Sequence, residues 1–116
     1  MGIKTKSVYD KETKDEGVRL LIMRRWPRGV KKTRVDEWDK DFAPSPELLD
    51  DWNKEKIPFK EFRKRYISEM RAPLQKSKIA ELARRAKRRG ITLFCHEEED
   101  TRCHRKMLEE LINKFR

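Results

Sequence analysis

Cys95 and Cys103 are the two cysteines of this chain, and each is followed directly by one of its two histidines, His96 and His104. Thiolate is the nucleophilic form of cysteine, and nearby cations or a helix N-terminus favour it. Cys103 lies in a run of Arg102, His104 and Arg105 that supplies such cations. One thiol could attack an electrophile while the other resolves the adduct as a disulfide. His104 could serve as the base, and Arg105 could hold an anionic group. Cys95, Cys103 and His104 are therefore candidate catalytic residues. The plainer alternatives are a buried strand cysteine with a small residue at a helix start, or a structural disulfide. Zinc fits poorly, because neighbours in extended chain point to opposite faces and Cys95 and His96 would rarely share one ion. No metal and no cofactor is expected.

These residues need a scaffold. Thr92-Leu93-Phe94-Cys95 is a short apolar run, followed by a polar loop and an amphipathic stretch, which predicts strand, loop and helix. Cys95 then ends a strand and Cys103 sits in the first turn of the next helix, over about 102–115. Met107, Leu108, Leu111, Ile112 and Phe115 form its apolar stripe, with Asp100 or Thr101 as cap. The acidic run Glu97-Glu98-Glu99-Asp100 could gather Mg²⁺, but acids before a helix are explained by its dipole.

Val18 to Met23 is a second buried-strand candidate, and Ile3 to Tyr9 a weaker one. Ser45-Pro46 predicts a helix start with Ser as N-cap and Pro at the first helical position. Pro58 opens another helix, with Phe59, Phe62, Tyr66, Ile67 and Met70 on one face. A third helix runs from about Leu74 to Arg89, with Gly90 expected as its C-cap. Asp36 to Pro44 reads as ordered but irregular. Several helices between two strong strands imply a crossover, hence parallel pairing. The expected architecture is one α/β domain over 1–116, with a small, mainly parallel sheet of about three strands and four or five helices around it. In such sheets ligands bind at the carboxyl edge of the strands.

The loop from Arg24 to Arg34 follows the Val18–Met23 strand and carries six basic residues. With parallel strands it emerges at the same edge as Cys95. Guanidinium groups pair bidentately with phosphate or carboxylate, so Arg24, Arg28, Lys32 and Arg105 are candidate anion-binding residues. Trp26 and Trp38 could stack a ring, although burial in the core is the preferred reading for both. Arg24 could alternatively pair with an acid from Asp36 to Asp39.

Lys and Arg number 31 against 21 Asp and Glu, a net charge of +10. Such a surface attracts anions: a small phosphate-containing or otherwise anionic ligand, nucleic acid, or an acidic protein. Arg84, Arg85, Lys87, Arg88 and Arg89 could meet a nucleic-acid backbone, though cations also stabilise a helix C-terminus. A chain that is 45% charged also fits a heat-adapted protein with surface ion-pair networks. No helix-turn-helix, zinc-finger or phosphate-binding glycine pattern is present. No run of about 18 apolar residues and no signal-peptide pattern occurs, so a cytoplasmic protein without a membrane partner is expected.

A series of strings carries a family resemblance: Ser7-Val8-Tyr9-Asp10, Arg19-Leu20-Leu21-Ile22 after Gly17, Arg24-Arg25-Trp26-Pro27-Arg28-Gly29, Asp36 through Ser45, and Phe62-Arg63-Lys64-Arg65-Tyr66. Together they resemble domain-of-unknown-function family 488, in its small YeaO-like branch, over nearly the whole chain. The resemblance implies a compact α/β cytosolic protein and leaves the activity open. Members of that branch often have an acid just before the Arg-x-Trp-Pro-Arg-Gly string, where this chain has Met23. Some carry a Cys-x-Glu…Cys-His-Arg string like the one formed here by Cys95, Glu97, Cys103, His104 and Arg105, and others lose it.

The functional expectation is a thiol-containing, anion-binding site at the carboxyl edge of the sheet, serving thiol-based redox or group transfer. The alternative is a non-catalytic nucleic-acid or acidic-partner binder that uses the basic surface.

Overall fold

The computed structural model describes residues 2–96 and 104–114. The expected capping residues Asp100 and Thr101, the acidic run 97–100, Cys103 and Phe115 lie outside them. Four strands form one sheet: β1 (Ile3–Ser7), β2 (Val18–Leu21), β3 (Glu37–Trp38) and β4 (Ile91–Cys95), in the order β1-β4-β2-β3. Every pairing is parallel. The four α-helices are α1 (Pro46–Asn53), α2 (Phe59–Glu69), α3 (Pro73–Arg88) and α4 (His104–Asn113). Three of them lie in the crossover from β3 to β4, which is what parallel pairing requires.

The class is α/β as expected, with a fourth strand added by the segment read as irregular. β3 is two exposed residues long. It exists because β2 offers an open edge to pair with, Leu20 opposite Glu37 and Leu21 opposite Trp38, and nothing in its own composition announces a strand.

β4 is buried at all five positions, since it lies between β1 and β2 and has both faces covered. Alternation sorts its side chains. Ile91 and Leu93, with Val18, Leu20 and Ile22, join the main core, to which α1, α2, α3 and α4 all contribute. Phe94 and Leu21 point the other way, into a smaller cluster with Val8, against which Met23, Trp26, Val30 and Val35 pack. So helices cover one face of the sheet, and the loop after β2 covers the other. The Arg34 guanidinium lies over the Phe94 ring, 4.5 Å from its centroid.

Local chemistry sets the helix ends. Ser45 caps α1, its hydroxyl accepting from Leu48 N at 3.2 Å, with Pro46 in the first turn. At the other end Lys56 N donates to Asp51 O and Glu55 N to Trp52 O, the paired bonds of a Schellman motif. Glu55 occupies the left-handed position there, with φ 58°.

The expected C-cap Gly90 is a correction. Arg89 caps α3 in extended conformation, and the left-handed glycines are Gly17 and Gly29. The Gly90 carbonyl instead accepts from Val18 N at 2.9 Å, and a Cβ on Gly17 would collide with that carbonyl. Gly17 is thus required where the connector enters β2.

Candidate active site

β2 and β4 are hydrogen-bonded neighbours, but the described elements that follow them lie on opposite faces of the sheet. The loop after β2 lies on the helix-free face, and α4, the next described element after β4, lies on the helical face. Divergence of that kind opens a crevice outside the strand ends. A cleft of about 450 Å³ lies there. Cys95, His96 and His104 border it from β4 and α4, Arg24 and Arg25 from the loop, and Trp52 and Asn53 from α1.

Cys95 shares the helical face with Leu93 by alternation, and this brings it to α4. Its Sγ lies 3.9 Å from His104 Nδ1 and 3.9 Å from His96 Nδ1. Cys95 is 2% exposed and His104 6%, whereas His96 is exposed. The other ring nitrogen of His104, Nε2, stands 2.6 Å from the Ile22 carbonyl oxygen. A carbonyl only accepts, so Nε2 carries a proton, and in the neutral tautomer that fits this contact Nδ1 bears the lone pair on the side of the thiol. The Tyr66 ring meets the imidazole edge-on, with centroids 5.5 Å apart, and Tyr66 is itself fixed by donating its hydroxyl to the Phe42 carbonyl at 2.7 Å.

Arg24 is half-buried, and its Nε donates to the Pro44 carbonyl at 2.9 Å. No acid from Asp36 to Asp39 pairs with it. Asp36 is taken by Arg19, Glu37 by Arg85 and Asp39 by Lys78. The terminal nitrogens of Arg24 make no ion pair among the described residues, and neither does the exposed Arg25. Held at Nε, Arg24 keeps the bidentate edge of its guanidinium for an anion.

The other candidates fall elsewhere. Arg28 is exposed and away from the cleft, and its carbonyl accepts from Tyr9 Oη at 2.7 Å. Lys32 borders a second, shallower depression with Trp26, Trp38 and Glu37. Trp26 packs on the smaller core cluster and donates to the Val30 carbonyl at 2.9 Å. The core reading of Trp38 is corrected: it is 40% exposed, lies edge-on to Trp26 at 5.4 Å and donates to the Met23 carbonyl. Arg105 is corrected too. At 1% exposure it presents no open guanidinium, and a charge that deep is kept only with partners, which it has.

Arg25 and the α1 wall were missed as site residues. Arg25 was one of six similar cations in a loop, and Leu49 and Trp52 of α1 carried no signal beyond a shared helix face. Among the described residues no three His, Cys, Asp or Glu side chains converge to hold a metal ion. No described helix is long and apolar enough to cross a membrane.

A family model described as the active DUF488-N3 subclade matches residues 3–116. The chain belongs to this family. Among its relatives, the Escherichia coli K12 protein YeaO is 38% identical over 117 residues, covering 99% of this chain and all of its own length. The Mycobacterium tuberculosis H37Rv protein Rv3073c is 33% identical over 113 residues, with 96% of this chain and 93% of its own length covered. Both are described as uncharacterised. No solved structure matches this DUF488-N3 chain.

Proposed function

We propose that the chain is a thiol-dependent group-transfer enzyme acting on a small anionic substrate in the cleft. The observation that carries this reading is the orientation of His104. Its Nε2 is bound to the Ile22 carbonyl, so its Nδ1 faces Cys95 Sγ as an acceptor. A nucleophile, a base and a third group that orients the base form the recurring pattern of covalent catalysis.

In the first step Cys95 gives its thiol proton to His104 Nδ1. The sulfur electron pair forms a bond to the electrophilic atom of the substrate. The leaving group departs with the electron pair of the bond that breaks, and the proton on Nδ1 is available to it. Arg24 and Arg25 hold the anionic oxygens. The separation of 3.9 Å suits a contact that tightens when substrate closes the site. A redox reaction would need Cys103 as resolving thiol, whereas group transfer needs the pair described and an acceptor, water or a second nucleophile, that gives its proton to His104 Nδ1 and takes the group from Sγ as the Cys95 thiolate departs.

The test compares alkylation of Cys95 by iodoacetate and by iodoacetamide, assigned by peptide mass. If the arginines recruit anions, the iodoacetate-to-iodoacetamide rate ratio should exceed that of free cysteine by about tenfold, equivalent to ~1.4 kcal/mol. The excess should vanish in an Arg24→Gln, Arg25→Gln double variant. A wild-type ratio equal to that of free cysteine would overturn the anion-binding reading.

A second reading, a nucleic-acid or acidic-partner binder, is favoured by Lys87, Arg88 and Arg89, which are exposed and form no ion pair among the described residues. Arg84 and Arg85 contribute less, being paired with Glu81 and Glu37. That reading predicts salt-sensitive binding, lost when those three cations are reversed to Glu and indifferent to Cys95.

A further inference from the structure

Two chemically different sets of side chains border the cleft. Arg24 and Arg25 are cationic. The other set is an aromatic wall built from α1 and α2, where Trp52 stacks on Phe62 with centroids 4.9 Å apart and an interplanar angle of 23°. Phe59 meets Trp52 edge-on at 5.8 Å, so Trp52 is held from two directions. Leu49 continues the apolar surface along α1. Asp50 stands on the same helix at the cleft's edge, with Lys54 3.2 Å away.

Size and charge then limit what fits. A volume of about 450 Å³ falls within the range of roughly 300–1,000 Å³ that accommodates organic ligands. A bare inorganic anion on the arginines would leave the aromatic wall unused. We propose that the substrate is an aromatic molecule bearing an anionic group, phosphate or carboxylate, with the anion on Arg24 and Arg25 and the ring against Trp52. This inference rests on the anionic-substrate reading above and narrows it.

The experiment is protection of Cys95 from iodoacetamide in the wild-type chain, with four probes in two pairs. Inorganic phosphate is compared with phenyl phosphate, and acetate with phenylacetate. Within the pair whose head group is recognised, the aryl member should protect half-maximally at a concentration at least about tenfold lower, as ring burial and stacking worth ~1.4 kcal/mol would give. Comparison between pairs distinguishes phosphate from carboxylate. Trp52→Leu, which keeps an apolar side chain on the core, should reduce the aryl advantage to less than about threefold and leave protection by the simple anion unchanged. Leu49→Gln is a second variant of the same wall and should reduce it in the same direction.

Equal protection by the aryl and simple members of each pair would overturn the aromatic subsite and leave the anionic-substrate reading standing. Absence of protection by all four probes would overturn both.

Discussion

Cys95 Sγ and His104 Nδ1 lie 3.9 Å apart, in a geometry fixed by the Ile22 carbonyl on the far side of the imidazole. Ile22 follows β2 and Cys95 ends β4, so the base is bonded to one strand end while facing the thiol of the next. Sheet register therefore sets the approach of base to nucleophile. His104→Gln can still donate an amide hydrogen toward Ile22 but offers the thiol no ring nitrogen. It should slow Cys95 alkylation at neutral pH by about tenfold or more, with little loss of stability. His104→Phe should slow it equally and also destabilise the fold by about 1–3 kcal/mol, because the Ile22 carbonyl loses its donor. Alkylation rates and thermal unfolding of the two variants separate catalysis from structure.

Arg24 is fixed by one bond from Nε to the Pro44 carbonyl. Lysine keeps the charge but cannot make that bond while presenting a planar pair of donors. Arg24→Lys should raise the anion concentration needed to protect Cys95 by about tenfold. Arg28→Lys, outside the cleft, should leave it unchanged. No effect of either substitution would mean that net charge alone recruits the anion, since both keep the charge.

How much of this was legible in the sequence depended on whether each residue's signal was local. Val18 to Met23 and Thr92 to Cys95 read as strands because inner strands of a parallel sheet demand mostly apolar runs, and only Arg19 and Thr92 depart from that here. The position of Cys95 and Arg24 at one sheet edge followed from parallel pairing. β3 was illegible, since its two residues are held by the edge of β2 and not by their own propensity. Trp52 carries helical periodicity whether it faces the core or a cleft, so its place in the site needed the fold. Arg105 looks like a surface cation in composition, and only the packing of α4 shows it buried.

Glu16 is 3% exposed and accepts from both Arg34 and Lys6. Burial on its own would raise its pKa, but the bonds from Arg34 and Lys6 outweigh this and hold it at about 2, from an ordinary 4.5. A depressed carboxylate contributes its full stabilisation above the unfolded value and loses it as pH falls toward the folded one. Stability on the order of 3 kcal/mol should therefore disappear between about pH 4.5 and 2. Glu16→Gln should be destabilised by about 2–4 kcal/mol at neutral pH and show a flatter acid limb. Denaturant unfolding across that range checks the sign. An unchanged acid limb in the variant would assign it to other carboxylates.

Glu55 holds the left-handed position of the Schellman motif that ends α1, one turn beyond the cleft residue Trp52. A side chain there costs about 1 kcal/mol relative to glycine. Glu55→Gly should raise stability by about 0.5–1 kcal/mol, and a rigid α1 should retain the protection pattern of the cleft. Denaturant midpoints at constant m-value report the gain.

Gly17 and Gly29 both have positive φ, 65° and 77°, but their surroundings differ. A Cβ on Gly29 would meet no atom within 4 Å, whereas one on Gly17 would strike the Gly90 carbonyl. That carbonyl accepts the Val18 N–H at the start of β2, so relief of the clash would have to separate β2 from the entry to β4. Gly29→Ala should cost about 1 kcal/mol, the conformational term alone. Gly17→Ala adds a steric term between backbone segments that cannot rotate away, and should cost at least about 3 kcal/mol. Because β2 and β4 carry Ile22 and Cys95 to the cleft, the Gly17 variant should also lose the rapid Cys95 alkylation while the Gly29 variant retains it. Equal destabilisation of the two variants would show that the approach of Gly17 to Gly90 does not constrain the strand pair.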